Sequence, residues 1–72
     1  MKRVLITGWI PGFNKTETNK VLRSRLGYSL REAKDAVDAI LKGTVVEFDL
    51  PGDQAPQMCA ELQRLNAVCR IK

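Results

Sequence analysis

The chain has 72 residues, of which 44% are hydrophobic and 28% are charged, and its formal net charge is +4. A single domain spanning residues 1–72 is expected, and a chain of this length buries only about 60% of its unfolded surface, which leaves little room for a catalytic pocket beside the core. No apolar stretch approaches the ~20 residues of a membrane span, so we expect a cytoplasmic protein without a membrane segment.

The first predicted element is a strand over Arg3–Thr7, with Val4 and Ile6 facing one side of a sheet. The stretch GWIPGF then breaks the alternation with glycine and proline, which indicates a loop. This loop carries three large apolar residues, namely Trp9, Ile10 and Phe13. In so small a domain we expect them to cover one end of the core. The alternative is an exposed anchor for a partner, because tryptophan is favoured at the energetic centres of interfaces.

A first helix is predicted from the capping signal of Asn14 and Glu17 to about Arg25. Gly27 follows where a left-handed residue commonly ends a helix. The helical period places four residues on the inner face: Thr18, Val21, Leu22 and Leu26.

A second helix starts at once, because Ser29 and Glu32 have the spacing of a capping box. Its apolar stripe consists of Leu30, Ala33, Val37, Ile40 and Leu41. The other face carries opposite charges four residues apart, which predicts two weak ion pairs, Arg31–Asp35 and Lys34–Asp38.

The remaining elements are a strand over Thr44–Leu50, a third helix capped by Asp53 and closed by Asn66, and a last strand over Val68–Ile71. The inner face of the third helix is predicted to hold Ala55, Met58, Leu62 and Leu65. The order is therefore β-α-α-β-α-β, an α+β fold. A right-handed crossover makes the second and third strands parallel, and the first strand fits between them, antiparallel to both. The three helices then cover one face of a three-stranded antiparallel sheet. The other face, with Leu5, Val45 and Val68, is expected to be partly open.

The residues that would carry chemistry are sparse. The chain has no histidine, no glycine-rich phosphate loop followed by lysine and no Ser/His/Asp set. We therefore expect no enzyme, no cofactor and no metal. The two cysteines, Cys59 and Cys69, are expected to be reduced and to serve as small apolar residues, although a disulfide between them is a possible alternative.

A basic patch on the first two helices is the main candidate binding surface. Six cations gather there: Lys15, Lys20, Arg23, Arg25, Arg31 and Lys34. They suit an acidic protein surface or the phosphates of RNA. RNA is the less expected partner, since no aromatic residues alternate with the cations and no GXXG clamp is present. A third hypothesis is dimerisation through the open sheet face and the Trp9 loop.

The segment NKVLRSRLGYSLREAKDAVD resembles the C-terminal domain of the bacterial ribosomal stalk protein, large-subunit protein seven/twelve. The family pattern is a helix that begins near Asn-Lys and carries Lys and Arg, then a glycine turn, then Leu-Lys-Glu-Ala-Lys-Asp. Here these positions are Asn14-Lys15, Lys20, Arg23, Gly27 and Leu30–Asp35. The resemblance extends over nearly the whole chain.

The resemblance implies the same β-α-α-β-α-β fold. It also implies binding of translational GTPases (initiation factor two and elongation factors Tu and G) through the first two helices. The matching positions are Lys15, Lys20, Arg23, Arg31 and Lys34, with Asn19 in place of an apolar contact residue. The family proteins add an N-terminal dimerisation domain and a flexible hinge. This chain enters its first strand directly, so we expect a stand-alone domain and leave its oligomeric state open. The adaptor of the Clp protease shares this fold type, but its specific residues do not occur here.

Overall fold

The fold is described by a computed structural model that covers residues 1–72. The elements follow the predicted order and form an α+β fold. They are β1 (Lys2–Trp9), α1 (Lys15–Leu26), α2 (Leu30–Leu41), β2 (Val46–Leu50), α3 (Gln54–Arg64) and β3 (Ala67–Ile71). No helix is long and apolar enough to cross a membrane.

The sheet has the strand order β2-β1-β3, with β1 antiparallel to both neighbours, as predicted. The first strand is longer than predicted, because an irregularity between Ile6 and Gly8 lets it continue and pair Trp9 with Ala67 of β3. Such bulges insert a residue without ending the ladder, and no simple alternation in the sequence marks them. The second strand is shorter than predicted, since Thr44 and Val45 lie outside it.

The helices pack on one face of the sheet and enclose the core there. Thirteen buried residues form one cluster: Val4, Ile6, Leu22, Ala33, Val37, Ile40, Leu50, Ala55, Met58, Cys59, Leu62, Ala67 and Cys69. Both cysteines are free. Burial, together with the neighbouring Cys59, raises the pKa of the Cys69 thiol far above its ordinary value. The side-chain amide of Gln63 donates to Cys59 Sγ and to the Cys69 carbonyl, at 3.6 and 3.3 Å.

The ends of α1 and α2 follow the local signals of the sequence. Asn14 Oδ1 accepts the Glu17 backbone N–H at 3.0 Å, and Gly27 ends α1 with φ at 69°. At the start of α2, Ser29 and Glu32 exchange side-chain-to-backbone hydrogen bonds at 3.1 Å in both directions. These contacts satisfy backbone donors that have no partner within a helix.

The prediction that Asp53 caps α3 was wrong. Its backbone is already helical, and its side chain makes no capping hydrogen bond. The Pro51 carbonyl instead accepts the backbone N–H groups of Gln54 and Ala55, at 2.9 and 3.0 Å. The Pro-Gly turn therefore begins the helix through main-chain contacts, and the carboxylate of Asp53 is not needed. At the other end Asn66 adopts the left-handed conformation, with φ at 66°, as its predicted closing role requires.

Leu5 also differs from expectation. It faces away from the helices, yet only 7% of it is exposed. In the register of the sheet it lies between Glu47 of β2 and Arg70 of β3, and side chains of this length can cover it with their aliphatic parts. The centre of the open face is thus covered, while Val45 and Val68 stay exposed as predicted.

Candidate functional site

The connection between α1 and α2 spans only residues 27–29, so the two helices lie side by side. An open groove of about 370 Å³ runs between them. Its lining consists of Lys15, Thr16, Asn19, Arg23, Leu30, Lys34, Val37 and Asp38. We call this the α1–α2 groove.

The spacing of the lining residues explains how the groove is assembled. Positions i, i+4 and i+8 lie along one side of a helix, and each helix contributes one such row. The rows are Lys15, Asn19 and Arg23 on α1, and Leu30, Lys34 and Asp38 on α2. The sequence therefore contained a signal for the groove, namely two rows with a four-residue period on adjacent helices that together carry three cations.

Leu30 lies in this groove and not in the core. It was predicted to belong to the buried stripe of α2, but 63% of it is exposed. It is the first residue of the helix, and the stripe is buried only from Ala33 onward. An exposed leucine beside cationic side chains gives the groove an apolar contact point.

The groove is positively charged, since Lys15, Arg23 and Lys34 face a single acid, Asp38. None of these three cations forms an ion pair. The predicted Lys34–Asp38 pair does not form, although both side chains line the groove. At helical spacing such a pair is worth only a few tenths of a kcal/mol, and solvation of the two separate charges outweighs it. The cations are therefore available to an external anion.

Two of the predicted binding residues lie outside the groove. Lys20 is directed along α1 to Glu17, whose carboxylate it meets at 3.4 Å. Arg31 is exposed and unpaired, because the predicted ion pair with Asp35 is absent. The structure thus brings together four of the six predicted residues. It adds four lining residues that the sequence did not indicate as binding residues: Thr16, Leu30, Val37 and Asp38.

One part of the Trp9 loop packs on the protein and another part is exposed, so it has features of both predicted roles, a cover for the core and an exposed anchor. Phe13 packs against the core cluster. Trp9 is 44% exposed; its indole N–H donates to the Leu41 carbonyl at 3.4 Å, and its ring lies 6.3 Å from that of Phe13. Ile10 is 50% exposed. The loop therefore covers the C-terminal end of α2 and leaves an apolar surface in solvent.

A second, wholly polar cleft lies between α1 and α3. It is lined by Ser24, Arg25, Asp53, Gln54, Gln57 and Glu61. Within it Arg25 and Glu61 form an ion pair that ties the two helices together. The hydrogen bond from the guanidinium holds the pKa of Glu61 below its ordinary value. This cleft therefore has a structural explanation: its one cation, Arg25, is already paired.

No group of three or more His, Cys, Asp or Glu side chains is arranged to hold a metal ion. No protein-family model matches the chain, and no curated protein is significantly similar to it in sequence. The site itself offers three unpaired cations around an exposed leucine.

Proposed function

We propose that this protein is a non-enzymatic protein-binding module that docks an acidic partner surface in the α1–α2 groove. The proposed role is like that of the translation-factor-binding domain of the ribosomal stalk protein. The observation that supports it best is the exposed Leu30 beside the unpaired cations of the groove. An apolar contact point surrounded by charge suits a partner that presents an apolar side chain among carboxylates.

The expected partner is a translational GTPase in the cytoplasm, or another protein with an acidic helix. Opposite charges across an exposed interface mainly raise the association rate, and the attraction is screened by salt. We therefore expect binding that is fast, weak and salt-sensitive. Fast and weak binding suits a module that must repeatedly bind and release its partner.

RNA has less support as the partner of this groove. The lining contains no aromatic side chain, whereas proteins that bind single-stranded RNA commonly stack bases on aromatic rings. The two candidate partners also differ in an experiment, because nuclease treatment removes RNA and leaves a bound protein in place.

The test compares two double charge reversals with the same net charge. Lys15→Glu/Arg23→Glu changes the groove, and Lys20→Glu/Arg31→Glu changes the same helix pair outside it. Purified elongation factors Tu and G are titrated against each variant, and capture from nuclease-treated lysate is run beside the titrations. We expect the groove variant to weaken binding by at least about tenfold, or roughly 1.4 kcal/mol, and the control variant to weaken it by less than threefold.

A third variant tests the apolar contact. Leu30→Ser removes an exposed side chain, so it should leave stability nearly unchanged while it weakens binding. Equal losses in both charge variants would show general charge attraction and contradict a groove-specific site. If captured material disappears after nuclease treatment, the protein-binding proposal fails and RNA takes its place.

A further inference from the structure

The sheet face that the helices leave open carries an ordered pattern of charge. Ala67 and Cys69 of β3 are buried in the core, so Arg70 and Val68, which alternate with them, point to the open side. On β2, Val46, Phe48 and Leu50 pack on the core, so Glu47 and Asp49 point to the open side. One edge of this face is therefore acidic, and the other is basic.

The register arranges these residues in rows across the three strands. Leu5 at the centre lies between Glu47 and Arg70. Arg3 pairs with Asp49 on one side, and on the other its carbonyl accepts the Lys72 backbone N–H at 2.8 Å. Each of the two rows thus has an acid on the β2 side and a cation on the β3 side.

The far end of the same face is apolar. Val68 lies opposite Gly8, and a Cβ added at Gly8 would meet no atom within 4 Å. Val45, just before β2, and Ile10, just after β1, are about half exposed. The face thus combines a flat apolar end with a charged end of two mixed rows.

We propose that this face binds a second copy of the chain, about a two-fold axis parallel to β1. Rotation about that axis places β2 of each copy over β3 of the other, with the apolar ends together. Glu47 then faces Arg70 of the second copy, and Asp49 faces Lys72 of the second copy, in both directions. A two-fold contact requires a self-complementary surface, and this arrangement of acids and cations fulfils that requirement.

The unpaired charges favour this occupant over others. Arg70 and Lys72 form no ion pair within the chain. Arg3 would lie on the axis, but its side chain turns toward β2. Its Nε lies 3.2 Å from Asp49 Oδ1 and its Nη1 lies 3.6 Å from Glu47 Oε2, so its charge is displaced from the axis. An acidic partner would meet Glu47 and Asp49 on half of this face, whereas the α1–α2 groove holds a single acid. The sheet face is thus nearly balanced in charge and suits its own copy best.

The expected dimer is weak. Three strands spaced about 4.8 Å apart give a face that is small beside the roughly 800 Å² per partner of a standard interface. Its charge pairs are also near solvent, so salt weakens them. The contact leaves the α1–α2 groove free on the far side of each copy. The inference is therefore independent of the proposed function and goes beyond it.

The test is a charge exchange measured by sedimentation equilibrium on the full chain. The acid-side variant is Glu47→Lys/Asp49→Lys, and the base-side variant is Arg70→Glu/Lys72→Glu. Alone, each variant places like charges across the axis, so we expect its dimer dissociation constant to rise at least about tenfold. Mixed together, the two variants restore opposite charges in every row, and a mixed dimer should form.

The control for general attraction is Lys20→Glu/Arg31→Glu, which has the same net charge as the base-side variant but alters the helix side. This control keeps the wild-type sheet face, so it should form its own dimer, but mixed with the acid-side variant it should form no mixed dimer. Circular dichroism checks that each variant is folded, and the base-side variant leaves every ion pair of the chain intact. The wild-type dimer should weaken at least tenfold at about 1 M salt, where the Debye length is ~3 Å.

Three outcomes would overturn the proposal. The first is a wild-type protein that stays monomeric up to about 1 mM at low salt, a limit of roughly 4 kcal/mol of binding free energy. The second is a dimer that persists unchanged in both variants, which would place the contact elsewhere. The third is a mixture of the two variants that does not associate although both are folded.

Discussion

Thr18 offers the sharpest test of how this core is held together. It is fully buried on the inner face of α1, and its hydroxyl oxygen Oγ1 has no hydrogen-bond partner. Burying an unpaired polar group costs roughly 1–3 kcal/mol. Valine has nearly the same shape and the same branched Cβ, so Thr18→Val removes the hydroxyl without opening a cavity. The added methyl group contributes about 0.8 kcal/mol of burial.

Together these effects predict that Thr18→Val raises the free energy of unfolding by about 2 kcal/mol. For a domain of this size, 1 kcal/mol corresponds to about 4–8 °C in Tm, so thermal unfolding should shift upward by roughly 8–16 °C. With a urea slope of about 1 kcal/mol/M, the denaturation midpoint should rise by about 2 M. Circular dichroism at 222 nm, near the helical minimum, follows both transitions.

The matched control is Thr16→Val, the same substitution two residues earlier on an exposed position of the same helix. It should change stability by less than about 0.5 kcal/mol. A Thr18→Val variant that is no more stable than the wild type would refute the reasoning. That result would mean that the hydroxyl is satisfied in solution, by a bound water or by a carbonyl one turn back in α1.

Two further predictions concern helix ends and pH. Ser29→Ala removes the side-chain half of the capping box with Glu32 and should lower the free energy of unfolding, measured by urea denaturation, by about 1 kcal/mol. Asp53→Ala should leave it nearly unchanged, because Asp53 makes no capping hydrogen bond. Similar losses of stability in both variants would contradict this account of the caps. The hydrogen bond from Arg25 lowers the pKa of Glu61, and burial opposes this shift. The ion pair therefore stabilises the fold fully above the ordinary pKa of 4.5, and its contribution is lost as pH falls through the lowered pKa. Glu61→Gln should therefore be less stable than the wild type at neutral pH, with a difference that shrinks below pH 4.5, and a pH-independent difference in unfolding free energy would argue against the pair.

Most of the fold could be predicted from local sequence signals. The caps at Asn14 and Ser29 and the left-handed glycine at Gly27 each involve residues within one helical turn, so the sequence displays them directly. The strand order followed from one crossover, which makes the second and third strands parallel and leaves room between them for the first. Where an element depends on its immediate neighbours alone, the pattern of residues was sufficient.

The errors arose from contacts that residue type and periodicity do not display. Asp53 has the right residue type for a cap, but the backbone of the preceding Pro-Gly turn supplies the contacts. Leu5 faces away from the helices and is still buried, because strands on both sides place long side chains beside it. Alternation within one strand cannot reveal what lies on the neighbouring strands.

The lining of the α1–α2 groove could be predicted only in part. Lys15, Asn19, Arg23 and Lys34 share the groove, whereas Lys20 and Arg31 have the right charge and the wrong direction. Leu30 was assigned to the core by its period, yet the first turn of α2 lies beyond the point where the helix meets the sheet. The helical period shows on which side of a helix a residue lies. Whether that residue is buried depends on how far along the helix the rest of the protein packs against that side.

The central position of β1 has a consequence for how the chain folds as it is synthesised. This strand precedes both of its neighbours in the chain, which begin only at Val46 and Ala67. Until β3 has been synthesised, one edge of a strand that carries the buried Val4 and Ile6 has no backbone partner. Loss of β3, by early termination or by proteolytic trimming, would leave that edge open to other chains. The five-residue strand β3 is therefore the element that closes the second edge of the central strand.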